Sequence, residues 1–318
     1  MRSFALGLLL ILPARIFATP EVYEPAAQRE WRQQGEVLRN ELRAMNARWV
    51  SGQLGSREVV LESERLRAGF DRLSADARDL TPADYALNRE LASQSFSWLA
   101  RAGSRFRADA TVAQALMQTY GFIGDFYHGR FPYPNGAWFA YVDATRWARA
   151  VVLNNQRGSA FERDLERFAL AWATVAYASG SFAFPSAPSA DFLQSARSAP
   201  LEPEPPRTDL KPVALPAIEQ AKLDATQKAQ WVEIQPRFRQ VSASVYQARQ
   251  LLEDLSHRLR QQQPNATLNV QDAATAIKMQ GFLDDAAELV RAAQFEKAAE
   301  ALERADYERG RLKRVTGQ

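Results

Sequence analysis

Residues 120–147 contain the side chains whose types and spacing are best suited to chemistry. Asp125 and Asp143 are expected on neighbouring helices, and two carboxyl groups held about 5–10 Å apart can serve as the acid and base of glycoside cleavage. His128 lies between them in the sequence, and histidine is a residue type that commonly serves as a general base. If the protein is an enzyme, Asp125, His128 and Asp143 are therefore the predicted catalytic residues.

The same segment is rich in aromatic residues, which favours either a ligand-binding loop or a packed core. Its middle, residues 128–136, contains prolines and glycines that prevent a continuous helix, so a loop between two helices is predicted. Aromatic rings with a polar tip suit partly hydrated surfaces and can stack on sugar rings. The predicted ligand contacts are Tyr127, Arg130, Tyr133, Trp138 and Tyr141. In the alternative interpretation, these rings plug the core at a helix junction.

The motifs that usually identify enzymes and cofactor-binding proteins are missing. The sequence has no G-x-S-x-G elbow, P-loop, H-E-x-x-H, EF-hand loop or dinucleotide fingerprint. It has no cysteine, which excludes disulfides, thiolate catalysis and cysteine metal sites. It has only two histidines, in different halves of the chain, which argues against a histidine-rich metal site. We therefore expect no cofactor and no metal, and favour a protein without catalysis of its own.

The first eighteen residues have the layout of a secretory signal peptide. Arg2 precedes a nine-residue apolar run, Phe4–Leu12, and small or aliphatic residues lead to Ala18. The run is too short to span a bilayer, which takes about 20 apolar residues. We predict cleavage after Ala18, no stable membrane insertion afterwards, and a periplasmic or secreted protein.

The charge of the chain argues against a nucleic-acid partner. The formal net charge is +3, and removal of Arg2 and Arg15 with residues 1–18 lowers it to +1. No block of like charge stands out in the sequence, so the basic patch of a nucleic-acid-binding protein is missing.

Helical periodicity and a proline-rich break divide the rest of the chain. Residues 26–180 repeat apolar side chains every three or four positions, which predicts a bundle of about six helices and an all-α fold. Residues 181–216 contain eight of the sixteen prolines and many serines, which predicts an extended linker. Residues 217–318 then form a second predicted helical domain.

The C-terminal part begins with a run of apolar residues in heptad spacing. Nine side chains are spaced three and four apart between Trp231 and Leu259, which predicts one long helix. Two further helices, about 270–291 and 295–312, can fold back against it. The result is a helical hairpin or three-helix bundle, and the alternative is self-association through residues 231–259.

Residues 283–306, LDDAAELVRAAQFEKAAEALERAD, resemble one tetratricopeptide-type helical hairpin. Residues 292–298 are similar to the turn and the start of that repeat's second helix, with Ala293 in place of the usual glycine. No second copy is visible, although such repeats normally need about three units for a stable core. The resemblance implies antiparallel helix packing and a groove for a peptide.

These observations predict an exported, soluble helical protein that binds or scaffolds a protein partner or an envelope glycan in the cell envelope, without catalysis. The alternative is a glycan binder or glycan-cleaving enzyme that uses the aromatic segment 120–147.

Overall fold

The structure is a computed structural model that describes residues 26–73, 81–131, 133–178, 212–260 and 270–316. Within these ranges the chain is all-α, as predicted, with nine α-helices and no strand. The predicted signal peptide, residues 1–18, and the predicted linker up to residue 211 lie outside the described residues. In the part of the chain that is described, no helix is long and apolar enough to cross a membrane.

Six helices form the N-terminal part and three form the C-terminal part. The first six are α1 (Ala26–Val50), α2 (Ser56–Arg72), α3 (Pro82–Arg105), α4 (Ala110–Asp125), α5 (Pro134–Leu153) and α6 (Ala160–Ala178). The last three are α7 (Ala225–Arg260), α8 (Val270–Arg291) and α9 (Phe295–Thr316). A π-helical turn, Phe126–Arg130, follows α4, and a 3-10 turn, Gln220–Lys222, precedes α7. The predicted helix 270–291 matches α8 at both ends.

Apolar side chains at helical spacing account for the N-terminal bundle. Along α1 the side chains of Trp31, Leu38, Leu42 and Met45 are buried, as the spacing predicts for one face of a helix. This face packs on α2 and α3, while α4 packs between α2 and α5, and α5 continues the contacts to α6. The core therefore joins helices that alternate in the chain, α1 with α3 and α2 with α4, as well as the successive helices α4, α5 and α6.

The start of α3 is fixed by a capping box that also ties it to α1. Thr81 precedes Pro82 at the first helical position, and its hydroxyl accepts from the Asp84 amide at 3.3 Å. The buried Asp84 carboxylate accepts from the Thr81 amide at 2.8 Å and from the Arg32 guanidinium at 2.8 Å. Gln28 donates to the same carboxylate at 3.0 Å. Local capping and an inter-helix ion pair thus converge on one side chain.

The heptad face of α7 is buried within the same chain. Up to residue 250 its apolar side chains are all buried: Trp231, Ile234, Phe238, Val241, Val245 and Ala248. They pack mainly on α9 and also on α8, and the rings of Trp231 and Phe295 lie 5.8 Å apart. The predicted three-helix arrangement is confirmed. The side chains of residues 251–260 lie outside the described part, and self-association through 231–259 stays a prediction.

The turn between α8 and α9 is a Schellman motif with an unusual residue in it. The Gln294 amide donates to the Leu289 carbonyl at 2.9 Å, and the Ala293 amide donates to the Val290 carbonyl at 3.0 Å. Ala293 has a φ of 53°, the left-handed conformation that glycine usually occupies. This is the position where the resemblance to a tetratricopeptide hairpin calls for glycine.

Helix α8 also joins the C-terminal part to the N-terminal part. It packs along α6 and touches α5, and the buried apolar side chains of both parts form one continuous cluster. Arg149 of α5 donates to Asp285 of α8 at 2.8 Å, and its guanidinium lies against the backbone of Gly281. The last residues of the predicted linker are described, and the Val213 carbonyl accepts from the hydroxyl of Ser242 at 2.7 Å. The division into two domains stays a prediction.

We predict that Ala293→Gly stabilises the protein. A non-glycine residue in the left-handed region costs about 1–2 kcal/mol of stability. Glycine avoids this cost, but the greater freedom of its unfolded state offsets about 0.5–1 kcal/mol of the gain. The expected net gain is about 0.5–1 kcal/mol in the free energy of unfolding, measured by urea denaturation. Ala292→Gly, one residue earlier and without a positive φ, is the control and is expected to destabilise. A loss of stability in Ala293→Gly would contradict the motif.

We also predict acid sensitivity from Asp84. Burial raises the pKa of Asp84, but hydrogen bonds from Thr81, Gln28 and Arg32 outweigh it and lower the pKa to about 2. A lowered folded-state pKa stabilises the fold above the unfolded value near 4, and this stability is lost as pH falls from about 4 to about 2. Asp84→Asn should cost about 2 kcal/mol at neutral pH and progressively less below pH 4.

Asp109→Asn is the matched control for that variant. Asp109 caps α4 through the amides of Thr111 and Val112, and asparagine caps a helix about as well as aspartate. Urea denaturation at a series of pH values measures both variants. A pH-independent loss in Asp84→Asn would contradict the assignment.

Candidate functional site

Most of the aromatic side chains predicted to contact a ligand are buried. The rings of Tyr127, Trp138 and Tyr141 are at most 4% exposed, and Tyr133 is half-buried. Tyr127 lies edge-on to Phe70 of α2 at 5.8 Å. The rings therefore fill space between helices in this structure, as the core interpretation expects, and a role in ligand contact stays a prediction.

Further contacts place these residues in the fold. Tyr127 also lies edge-on to Tyr133 at 5.4 Å, and Trp138 of α5 lies edge-on to Trp172 of α6 at 6.4 Å. Arg130 is exposed at the end of the π-helical turn, where it pairs with Asp71 of α2 at 3.2 Å. Within the predicted loop, residues 128–130 end the π-helical turn, Phe131 is extended, and α5 begins at Pro134.

The two candidate catalytic carboxyl groups have different surroundings. Asp125 is exposed at the end of α4 and accepts hydrogen bonds from the Tyr141 hydroxyl at 2.7 Å and from Arg167 at 3.1 Å. Asp143 is buried on α5, where burial raises its pKa although Arg146 and a hydrogen bond from Tyr120 oppose the rise.

His128 completes the predicted trio and is exposed in the π-helical turn. Its ring lies 6.3 Å from that of Tyr141, whose hydroxyl donates a hydrogen bond to Asp125. The structure thus groups His128 and Asp125 around one tyrosine and gives Asp143 a different tyrosine, Tyr120, as its partner. The roles of all three in catalysis stay predictions.

A different place on the molecule has the form of a binding site: a cavity of about 330 Å³ between α6, α8 and α9. This volume falls in the range of small-molecule sites. Apolar side chains and seven charged ones share its lining. The residues are Val152, Arg157, Gly158, Glu162, Leu165, Glu166, Lys278, Phe282, Arg304, Tyr307, Glu308 and Arg311. We call it the α6–α9 cavity.

A buried lysine holds the innermost charge of the α6–α9 cavity. The side chain of Lys278, on α8, is 2% exposed, and its ammonium pairs with Glu308 of α9 at 3.0 Å and with Glu166 of α6. Arg311 of α9 pairs with the same two carboxylates, each at 3.3 Å. Three helices are thus linked by two cations and two carboxylates. Buried charges are tolerated only when they are paired in this way.

A second ion pair crosses the α6–α9 cavity near its other end. The guanidinium of Arg304, on α9, donates to Glu162 of α6 at 3.1 Å and to Glu300 of its own helix at 3.2 Å. It also donates to the carbonyl of Val152 at the end of α5, at 3.3 Å. Arg157 at the rim pairs with Glu303 of α9. The guanidinium of Arg304 therefore connects three helices at once.

The surroundings favour the charged forms of Glu166 and Arg311 in this network. Burial raises the pKa of Glu166, but the hydrogen bond and charge of Lys278, with those of Arg311, lower it below its usual value. Burial lowers the pKa of Arg311, while the neighbouring Glu308 and Glu166 raise it above its usual value. Such a site can hold charged groups by ion pairing. Among the described residues, no group of three histidine, cysteine, aspartate or glutamate side chains could hold a metal ion.

The sequence analysis missed the α6–α9 cavity, although one signal for it was present. Lys278 stands alone in the run AATAIKMQGFL, residues 273–283, where a charge must find a buried partner if the helix is covered. Its partners Glu166 and Glu308 are 112 and 30 positions away, so their spacing along the chain carries no pattern. Only the packing of α8 between α6 and α9 brings the three together.

We predict that Lys278→Met destabilises the protein by about 3–5 kcal/mol, because it leaves the Glu308 and Glu166 carboxylates without their buried cation. The double variant Lys278→Met, Glu308→Leu should recover most of the loss, since a neutral, apolar pair can replace a buried ion pair at little cost. Urea denaturation at neutral pH measures both. Equal losses in the single and double variants would show that the two charges are not coupled.

The chain was compared with protein-family models, with curated proteins and with solved structures, and none of them matches it. The tetratricopeptide resemblance of residues 283–306 therefore stays a prediction from the sequence. In the absence of a matching protein, the geometry of the α6–α9 cavity is the basis for inferring a function.

Proposed function

We propose that this protein is an exported helical binding module without catalysis of its own, and that it binds its partner in the α6–α9 cavity. The supporting observation is an open cavity of about 330 Å³ whose lining combines apolar side chains with an ordered set of ion pairs. Export is proposed from the signal-peptide layout of residues 1–18.

The composition of the cavity favours binding over catalysis. Its twelve lining residues include no serine, threonine, cysteine or histidine, and the glutamates and the lysine, which can also act as bases or nucleophiles, are held in ion pairs. The pKa of Glu166 is lowered, so this carboxylate is a poor proton acceptor at neutral pH. The lining cations Lys278, Arg304 and Arg311 are all held by carboxylates. Charged side chains held in fixed positions suit recognition of a charged group on a partner.

The alternative, a glycan binder that uses residues 120–147, has weaker support. Sugar stacking needs an accessible ring face, whereas Tyr127 is fully buried and Trp138 and Tyr141 are at most 4% exposed. The accessible members of that set are Arg130 and, in part, Tyr133.

A capture experiment tests the proposal. Protein recovered from the periplasm or culture medium is expected to begin at Thr19, which N-terminal sequencing checks. It is immobilised and exposed to envelope extract, beside the double variant Glu162→Gln, Arg311→Gln. That variant preserves net charge and changes two cavity charges, while Arg304 keeps Glu300 and Glu166 keeps Lys278 as partners. We expect a component that wild type retains and the variant loses at least tenfold.

The matched control is Glu41→Gln, Arg72→Gln. This pair also joins two helices, at 2.8 Å, but it lies on α1 and α2 and does not line the cavity. The control should capture as wild type does, and circular dichroism should show both double variants folded. Equal capture by all three proteins would contradict a binding role for the cavity. Loss of capture in Tyr133→Ala alone would favour the glycan alternative.

A further inference from the structure

We infer that the ligand of the α6–α9 cavity is a small zwitterion with an apolar body, namely an uncapped amino acid or dipeptide. This inference rests on the proposed function, because it takes the cavity as the binding site. It goes further by naming the chemical class of the ligand.

Two carboxylates of α6 face two guanidinium groups of α9 across the cavity, while Glu308, also on α9, pairs with Lys278 and Arg311. Helix α6 contributes Glu162 and Glu166, which are four residues apart and so lie on one face about 6 Å apart along the axis. Helix α9 contributes Arg304 and Arg311, seven residues apart and also on one face, about 10 Å apart. Arg304 faces Glu162 at 3.1 Å, and Arg311 faces Glu166 at 3.3 Å. A row of carboxylates thus opposes a row of guanidinium groups.

The charges at the rim are more accessible than those at the base. The side chains of Glu162 and Arg311 are 37% and 35% exposed, whereas those of Lys278 and Glu308 are 2% and 9% exposed. The inner pair is held within the protein, and the outer charges face a ligand that enters. Val152, Leu165 and Phe282 give the cavity its apolar lining, which suits an aliphatic or aromatic side chain.

The pairing of these charges selects the ligand. Each wall charge already has a partner of opposite sign, so a ligand with a single charge brings that charge into a partly buried place without a counter-charge of its own. That arrangement is costly. A ligand with both an ammonium and a carboxylate exchanges partners one for one: its carboxylate pairs with a guanidinium of α9 and its ammonium with a carboxylate of α6. Charge-assisted hydrogen bonds are then conserved in number.

Isothermal titration calorimetry of the full protein tests the inference. The probes are phenylalanine and the dipeptide Leu-Phe, each compared with its N-acetylated form and with its C-terminal amide. We expect the better of the two uncapped probes to bind at least tenfold more tightly than both of its capped forms. Inorganic phosphate serves as the single-anion probe and is expected to bind more weakly than that zwitterion.

Two single variants assign each charge. Glu162→Gln should weaken the uncapped probe and abolish its advantage over the N-acetylated form, while Arg311→Gln should abolish its advantage over the amide. Glu41→Gln, Arg72→Gln should bind as wild type does. Equal binding of capped and uncapped forms, or tighter binding of phosphate, would overturn the ligand class, as would no binding of any probe.

The two experiments together distinguish a wrong ligand class from a wrong binding site. If no zwitterion binds while capture from envelope extract still depends on Glu162 and Arg311, the ligand class is wrong and the proposed function stands. If capture does not depend on the cavity either, the proposed function fails as well.

Discussion

The burial of α8 on every side is the constraint on which the rest of the described structure depends. All residues from 273 to 283 are buried, which amounts to three full turns of helix without a solvent-facing side. Small side chains make this possible, because Ala273, Ala274, Ala276 and Gly281 let neighbouring helices approach closely. With no cysteine in the chain, no disulfide can contribute to stability, so packing of this kind must supply it.

A helix covered in this way imposes a requirement on each polar side chain that it carries. The Thr275 hydroxyl donates to the carbonyl of Gln271, one turn earlier, and Gln280 bonds both Asp284 and Arg249. The ammonium group of Lys278 instead forms ion pairs with Glu166 and Glu308, which lie on the two flanking helices. The ion pairs that Lys278 makes in the α6–α9 cavity are thus a direct consequence of a charge placed on a fully buried stretch of helix. The side chains proposed to recognise a ligand thus also hold the helices together.

Sequence reasoning was correct for features that depend on residues close together in the chain. Helical periodicity predicted both ends of α8 correctly, and the heptad face of α7 is buried up to Ala248. The sequence placed the candidate site in the aromatic segment. It left open whether those rings bind a ligand or fill the core, because periodicity does not distinguish an exposed ring from an enclosed one. The α6–α9 cavity escaped it, since Glu166, Lys278 and Glu308 become neighbours only through tertiary packing.

The shared hydrophobic cluster has a consequence for a cut in the polypeptide chain. Residues 181–211 connect α6 to the C-terminal helices covalently, but the contacts described between α6 and α8 involve none of them. A single proteolytic nick there would remove the connection and leave the buried faces, the Arg149–Asp285 pair and the Lys278–Glu166 pair in place. The two fragments would then behave as a non-covalent complex, held together by the same helix that forms the floor of the cavity.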